Sequence, residues 1–100
     1  MKINLGQADT IQKNSMKTFF YEDLVFLVVN LEGKYFAYDG QCPHRKALIG
    51  SGQLNGNIVT CQWHQHQFDL RDGKCLTNRF IKLKGYTVVI VNNEIVVEME

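Results

Sequence analysis

Cys42-Pro43-His44 and Cys61-Gln62-Trp63-His64 stand sixteen residues apart in a chain of 100. Each pair offers one thiolate and one imidazole, whereas common zinc fingers group Cys with Cys and His with His. Mixed pairs suit a site with two unlike metal positions, so Cys42, His44, Cys61 and His64 are the candidate metal ligands. A structural zinc site is the alternative use of the same four side chains.

The residues around these pairs read CPHRKALIGSG and VTCQWHQHQFDLRDGKCL. A Pro lies between the first two ligands, a Gly-rich step follows the first loop, and a Phe-Asp-Leu run leads into an Asp-Gly turn. On these motifs the chain resembles the Rieske iron-sulfur family over roughly residues 20–100. The resemblance implies one [2Fe–2S] cluster, with Cys42 and Cys61 on the inner iron and His44 and His64 on the outer iron, near solvent. Pro43, Trp63 and Phe68 would shield it. High-potential members of the family carry a further cysteine in each cluster loop. The matching positions are Ala47 and Trp63, so that bridge is absent.

A chain of 100 residues supports one small domain, residues 1–100. Hydrophobic residues make up 45% and charged residues 21%, as in ordinary globular proteins. A net charge of +1 without a basic stripe argues against nucleic-acid binding. The N-terminus lacks the apolar core of a signal peptide, and the run Leu24 to Val29 is too short to span a bilayer. A cytoplasmic protein with no membrane anchor is expected.

The pattern reads as all-β. Leu24 to Val29, the Glu32-Gly33 turn and Tyr35 to Tyr38 form one expected hairpin. Asn55-Gly56 predicts a tight turn leading through Asn57 to Thr60 into Cys61. Gln67 to Leu70 leaves the second ligand loop, and Asp72-Gly73 turns the chain back. Tyr86 to Val91 and Glu94 to Met99 flank Asn92-Asn93 in another expected hairpin. No segment shows sustained helical periodicity. The expected fold is a small antiparallel sandwich or barrel of the Rieske-like kind, with two cluster-binding loops at one end.

The remaining residues take plainer readings. Phe19, Phe20, Tyr21, Phe26, Tyr35, Phe36 and Tyr38 are expected in core and strand packing. Cys75 reads as a small buried apolar side chain. His66 reads as a polar neighbour of the site, because four ligands already complete it. Arg45 and Lys46 read as a solvated pair on the first loop.

No phosphate loop, nucleotide fingerprint or Ser/His/Asp arrangement stands out, so no catalytic residue is assigned. The resemblance then implies a stand-alone ferredoxin: a one-electron carrier between a flavin-containing reductase and a terminal oxygenase, working as a monomer. Two other readings stay open. One is the small subunit of an assimilatory nitrite reductase, docking on its large subunit. The other is a zinc-binding or metal-free interaction module.

Neutral His ligands leave an oxidised site of two ferric ions, two sulfides and two thiolates formally uncharged. An all-Cys site is more negative and harder to reduce, which accounts for His-ligated potentials of roughly −150 to +300 mV. High-potential relatives place hydroxyl donors just after the second loop, where this chain has His66 and Phe68. The midpoint potential is therefore expected near or below about −50 mV. A redox titration giving a midpoint above about +100 mV would refute this hydrogen-bonding argument.

Overall fold

A computed structural model describes residues 1–41, 48–62, 65–78 and 80–99. Among the described residues the chain forms nine strands: β1 (Lys2–Gln7), β2 (Ser15–Tyr21), β3 (Leu24–Leu31), β4 (Lys34–Asp39), β5 (Gln53–Asn55), β6 (Ile58–Thr60), β7 (Gln67–Asp69), β8 (Gly85–Val91) and β9 (Glu94–Glu98). Two short 3-10 turns, Ala8–Thr10 and Ile49–Ser51, complete the regular structure, so the expected all-β class holds.

Period-two alternation in β3 explains the architecture. Side chains of successive strand residues point to opposite faces. Phe26 and Val28 pack with Ile3, Ala8 and Ile11 of the N-terminal segment, Ala37 of β4, and Ile95 and Val97 of β9. Leu27 and Val29 pack on the other face with Tyr38, Ile49, Val59, Cys61, Phe68, Leu70, Cys75 and Leu83. All four of these β3 residues are fully buried, each stabilising the fold by about 1.5–3 kcal/mol through removal of apolar surface from water. An uninterrupted apolar run is therefore the pattern this strand requires.

The strands fall into two antiparallel sheets. Six follow the order β1-β9-β8-β4-β3-β2, and three follow the order β5-β6-β7. The core that holds Ile3, Phe26 and Ile95 together requires the six-stranded sheet to fold back on itself. β4 meets β8 through two residue pairs, Ala37↔Tyr86 and Tyr38↔Gly85. The three-stranded sheet covers the opposite face of β3, and Tyr38 ties the two together by donating its hydroxyl to the Leu70 carbonyl at 2.8 Å. Burial, with Asp72 and Asp69 adding to it, pushes the Tyr38 hydroxyl up to about 12, so it remains a donor.

Turn chemistry follows residue type with one shift. Asn92 and Asn93 both take left-handed conformations, at φ 51° and 64°, and close β8 onto β9. In the β5–β6 hairpin the register pairs Asn55 with Ile58, so the two turn residues are Gly56 and Asn57. The turn lies one residue beyond Asn55-Gly56. Gly56 takes the left-handed position at φ 64°, and the Asn57 side chain donates to Asp69 Oδ1 at 2.9 Å.

Two strands go beyond the expected hairpins. β1 pairs with β9 through an irregularity between Asn4 and Gly6, and β2 pairs with β3 from Ser15↔Asn30 to Tyr21↔Leu24. The aromatic residues of β2 do not all enter the core: Phe20 is 68% exposed and Tyr21 is also exposed. An edge strand has one side uncovered, and residues beside its closing turn lose cover on both faces.

Asp69 anchors the far end of the small sheet. Its carboxylate accepts from the Asn57 amide, from Arg71 N at 2.9 Å and from Arg71 Nε and Nη2 at 3.1 and 2.8 Å. The Arg71 guanidinium holds the carboxyl well below the usual carboxylate range, and the Asn57 contact adds to this. A depressed folded-state pKa stabilises the fold above the unfolded value and loses that contribution as pH falls through the folded value. Asp69→Asn is expected to cost about 1–3 kcal/mol at neutral pH. Thermal melts from neutral pH to below about pH 4 should show the wild-type advantage shrinking on acidification; a difference independent of pH would contradict the charged-pair account.

Candidate metal centre

Of the four ligands read from the sequence, Cys61 lies among the described residues. Cys42, His44 and His64 lie outside them, as do Pro43, Arg45, Lys46, Ala47 and Trp63. What the structure places is the scaffold that flanks both segments carrying candidate ligands.

The first segment is closed at its base. β4 ends at Asp39, whose Oδ1 accepts from Gln41 N at 3.1 Å. Gly40 N donates to Val25 O at 2.9 Å, Ile49 N donates to Gly40 O at 3.0 Å, and Gln41 and Leu48 form an antiparallel bridge. The two described flanks of residues 42–47 are thus paired with each other. The 3-10 turn Ile49–Ser51 follows at once, and Ile49 is fully buried in the core that also contains Cys61.

The second segment is closed in the same manner. β6 delivers Cys61 with 0% exposure, and Cys61 N donates to His66 O at 2.8 Å. Gln65 takes a left-handed φ of 56° beside that closure. β7 then returns with Gln67 paired to Thr60 and the fully buried Phe68 paired to Val59. A cavity of about 190 Å3 opens here, lined by Gln53, Thr60, Cys61, Gln62 and Gln65.

Gly52 sets the distance between the two bases. A Cβ there would fall 2.0 Å from Thr60 O and 3.2 Å from Cys61 Cα. Only glycine lets the chain leaving the first segment pack against the backbone that carries Cys61. This close approach sets the described chain at Gly52, which follows the first segment, directly against Thr60 and Cys61.

The donor set fits an iron-sulfur site. Cys61 is a buried sulfur at the foot of a pinned loop, enclosed by Ile49, Val59, Phe68 and Leu70, and a water-shielded thiolate is the inner-ligand environment such a cluster needs. Cys75 is a free buried thiol, as expected. His66 does not stand alone: its Nδ1 lies 3.2 Å from Thr77 Oγ1 and 4.0 Å from Cys75 Sγ, and its ring meets Phe68 edge-on at 6.5 Å. Thr77 went unnoticed in the sequence, because its approach to His66 depends on the pairing of the 75–77 segment with β7. Beside it Leu76 is exposed, and Phe80 is 84% exposed.

Comparison with known proteins agrees with this scaffold. The Rieske [2Fe-2S] domain family matches residues 1–93. The ferredoxin component of the naphthalene 1,2-dioxygenase/salicylate 5-hydroxylase systems of Ralstonia sp. is 37% identical over 96 residues, covering 95% of this chain and 85% of that protein. A chain from the complex of reduced oxygenase and oxidized ferredoxin in carbazole 1,9a-dioxygenase superimposes with a TM-score of 0.87 at 18% identity, covering 99% of this chain and 97% of that one. The small subunit of a putative NADH-dependent nitrite reductase from Mycobacterium tuberculosis gives a TM-score of 0.82 at 18% identity, covering 100% and 96%. At such identities the two structural likenesses establish a shared fold. With the family match spanning nearly its whole length, this chain belongs to the Rieske [2Fe-2S] domain family.

Proposed function

We propose that the protein is a one-electron carrier of the ferredoxin type, taking electrons from a flavin-containing reductase and passing them to a terminal oxygenase. It holds one [2Fe–2S] cluster through Cys42, His44, Cys61 and His64. The observation that carries this reading is the fully buried Cys61 at the foot of a closed loop, pressed by Gly52 against the exit of the segment that bears Cys42 and His44.

When bound, the cluster accepts and releases a single electron. The chain's own residues do the rest. Ile49, Val59, Phe68 and Leu70 keep water from the Cys61 side, while backbone bonds tie Gly40 to Val25, Ile49 to Gly40 and Cys61 to His66. Exposed Leu48, bridged to Gln41, and Leu76, bonded to Gln67, flank the loop bases and offer partner proteins apolar contact.

The oxygenase reading is favoured over the nitrite reductase reading by sequence: the 37% identity spans most of both chains, whereas the nitrite reductase likeness is one of fold. Residues 1–100 act as one domain and a monomer. Among the described residues no helix is long and apolar enough to cross a membrane. We place the carrier in the cytoplasm, where a buried thiol such as Cys75 stays reduced.

Anaerobic visible and EPR spectra, oxidised and then dithionite-reduced, test the reading together with iron and sulfide analysis. The expected result is a rhombic reduced signal with average g near about 1.9 and about two irons and two sulfides per chain. A colourless protein that binds zinc and takes up no iron on anaerobic reconstitution would make it an interaction module instead.

A further inference from the structure

His66 is held from two sides. Its carbonyl accepts from Cys61 N at 2.8 Å, closing the loop 61–66 on itself. Its imidazole Nδ1 lies 3.2 Å from Thr77 Oγ1. The same Thr77 oxygen accepts from Gln67 N at 3.3 Å and lies 3.4 Å from Cys75 Sγ. Leu76 N donates to Gln67 O at 2.7 Å, and Phe68 bridges to Cys75, so the backbone of the 75–77 segment is itself fixed against β7.

A single hydroxyl satisfies the three contacts at Thr77 Oγ1. Gln67 N–H and the Cys75 S–H donate to Oγ1, and the hydroxyl proton goes to a neutral imidazole at Nδ1. In the other tautomer Nδ1–H donates to Oγ1 and the hydroxyl turns to the Cys75 sulfur. In both arrangements Thr77 connects a rigid part of the small sheet to the last residue of the loop that begins at Cys61.

We propose that the Thr77 hydroxyl is a positioning residue for the cluster: through His66 it latches the base of the second ligand loop and so holds Cys61 in place. The proposal rests on the cluster reading given above and deepens it. Groups that orient metal ligands from behind contribute to metal retention as well as to geometry, and their removal commonly weakens binding about 10–100-fold. Thr77 does so without contributing a ligand.

The test is the rate of iron release from the reconstituted protein to a chelator, followed by the visible spectrum, with EPR of the reduced state alongside. Thr77→Val keeps the shape and removes the hydroxyl; it is expected to release iron about tenfold faster and to shift the reduced g values. Thr77→Ser should restore wild-type behaviour on both counts. Melting of the metal-free Thr77→Val protein measures any general loss of folding. If that variant fails to fold, His66→Leu removes the imidazole while leaving the Gln67–Thr77 contact, and it should release iron faster to a similar degree. Wild-type release and g values in Thr77→Val, or in His66→Leu where that variant is used, would overturn the latch, as would a Thr77→Ser protein as fast as Thr77→Val. A wild-type protein that takes up no iron would remove the cluster reading and the latch with it.

Discussion

β3 is the constraint on which the other elements depend. It is buried on both faces, so the same four residues serve as the wall of two cores: Phe26 and Val28 face the folded-back large sheet, and Leu27 and Val29 face the small one. A polar substitution on either face would strand an unpaired group between layers. The strand's one buried polar side chain shows how that cost is met. Asn30 donates to the Ile11 carbonyl at 3.1 Å and accepts from Gly33 N at 2.9 Å, joining the N-terminal segment to the turn after β3.

From this wall the site is built outward by backbone hydrogen bonds. Gly40 bonds directly to Val25 of β3, Ile49 bonds to Gly40, and Gly52 then brings the chain against Thr60 and Cys61. The residues that flank each candidate ligand segment are thus bonded to one another and to the layer that buries Leu27 and Val29.

Much of this was legible in the sequence. The run Leu24 to Val29 marked a strand, the Asn92-Asn93 and Glu32-Gly33 pairs marked their hairpins, and the mixed Cys-His pairs with the residues around them pointed to the Rieske family. β1 was not legible, because Lys2 to Gln7 mixes polar residues and Gly6 with two apolar ones, and its pairing with β9 spans nearly the length of the chain. Phe20 and Tyr21 misled for the opposite reason: aromatic residues favour strands whether or not anything covers them. Thr77 could not be found by inspection, because nothing in Leu-Thr-Asn announces that its hydroxyl sits against His66. That contact is a product of the Phe68↔Cys75 bridge.

The junction between β4 and β8 bears on how this fold diversifies. Two residue pairs join them across the backbone, at Ala37↔Tyr86 and Tyr38↔Gly85, so the C-terminal hairpin keeps its place chiefly by the shape and greasiness of Ile95 and Val97 against Phe26 and Val28. Shape-based joints accept exchanges of one aliphatic residue for another as long as volume is kept. A lineage can therefore rewrite most of its letters and still assemble the same layers, which is how chains sharing 18% of their residues with this one keep a TM-score of 0.87.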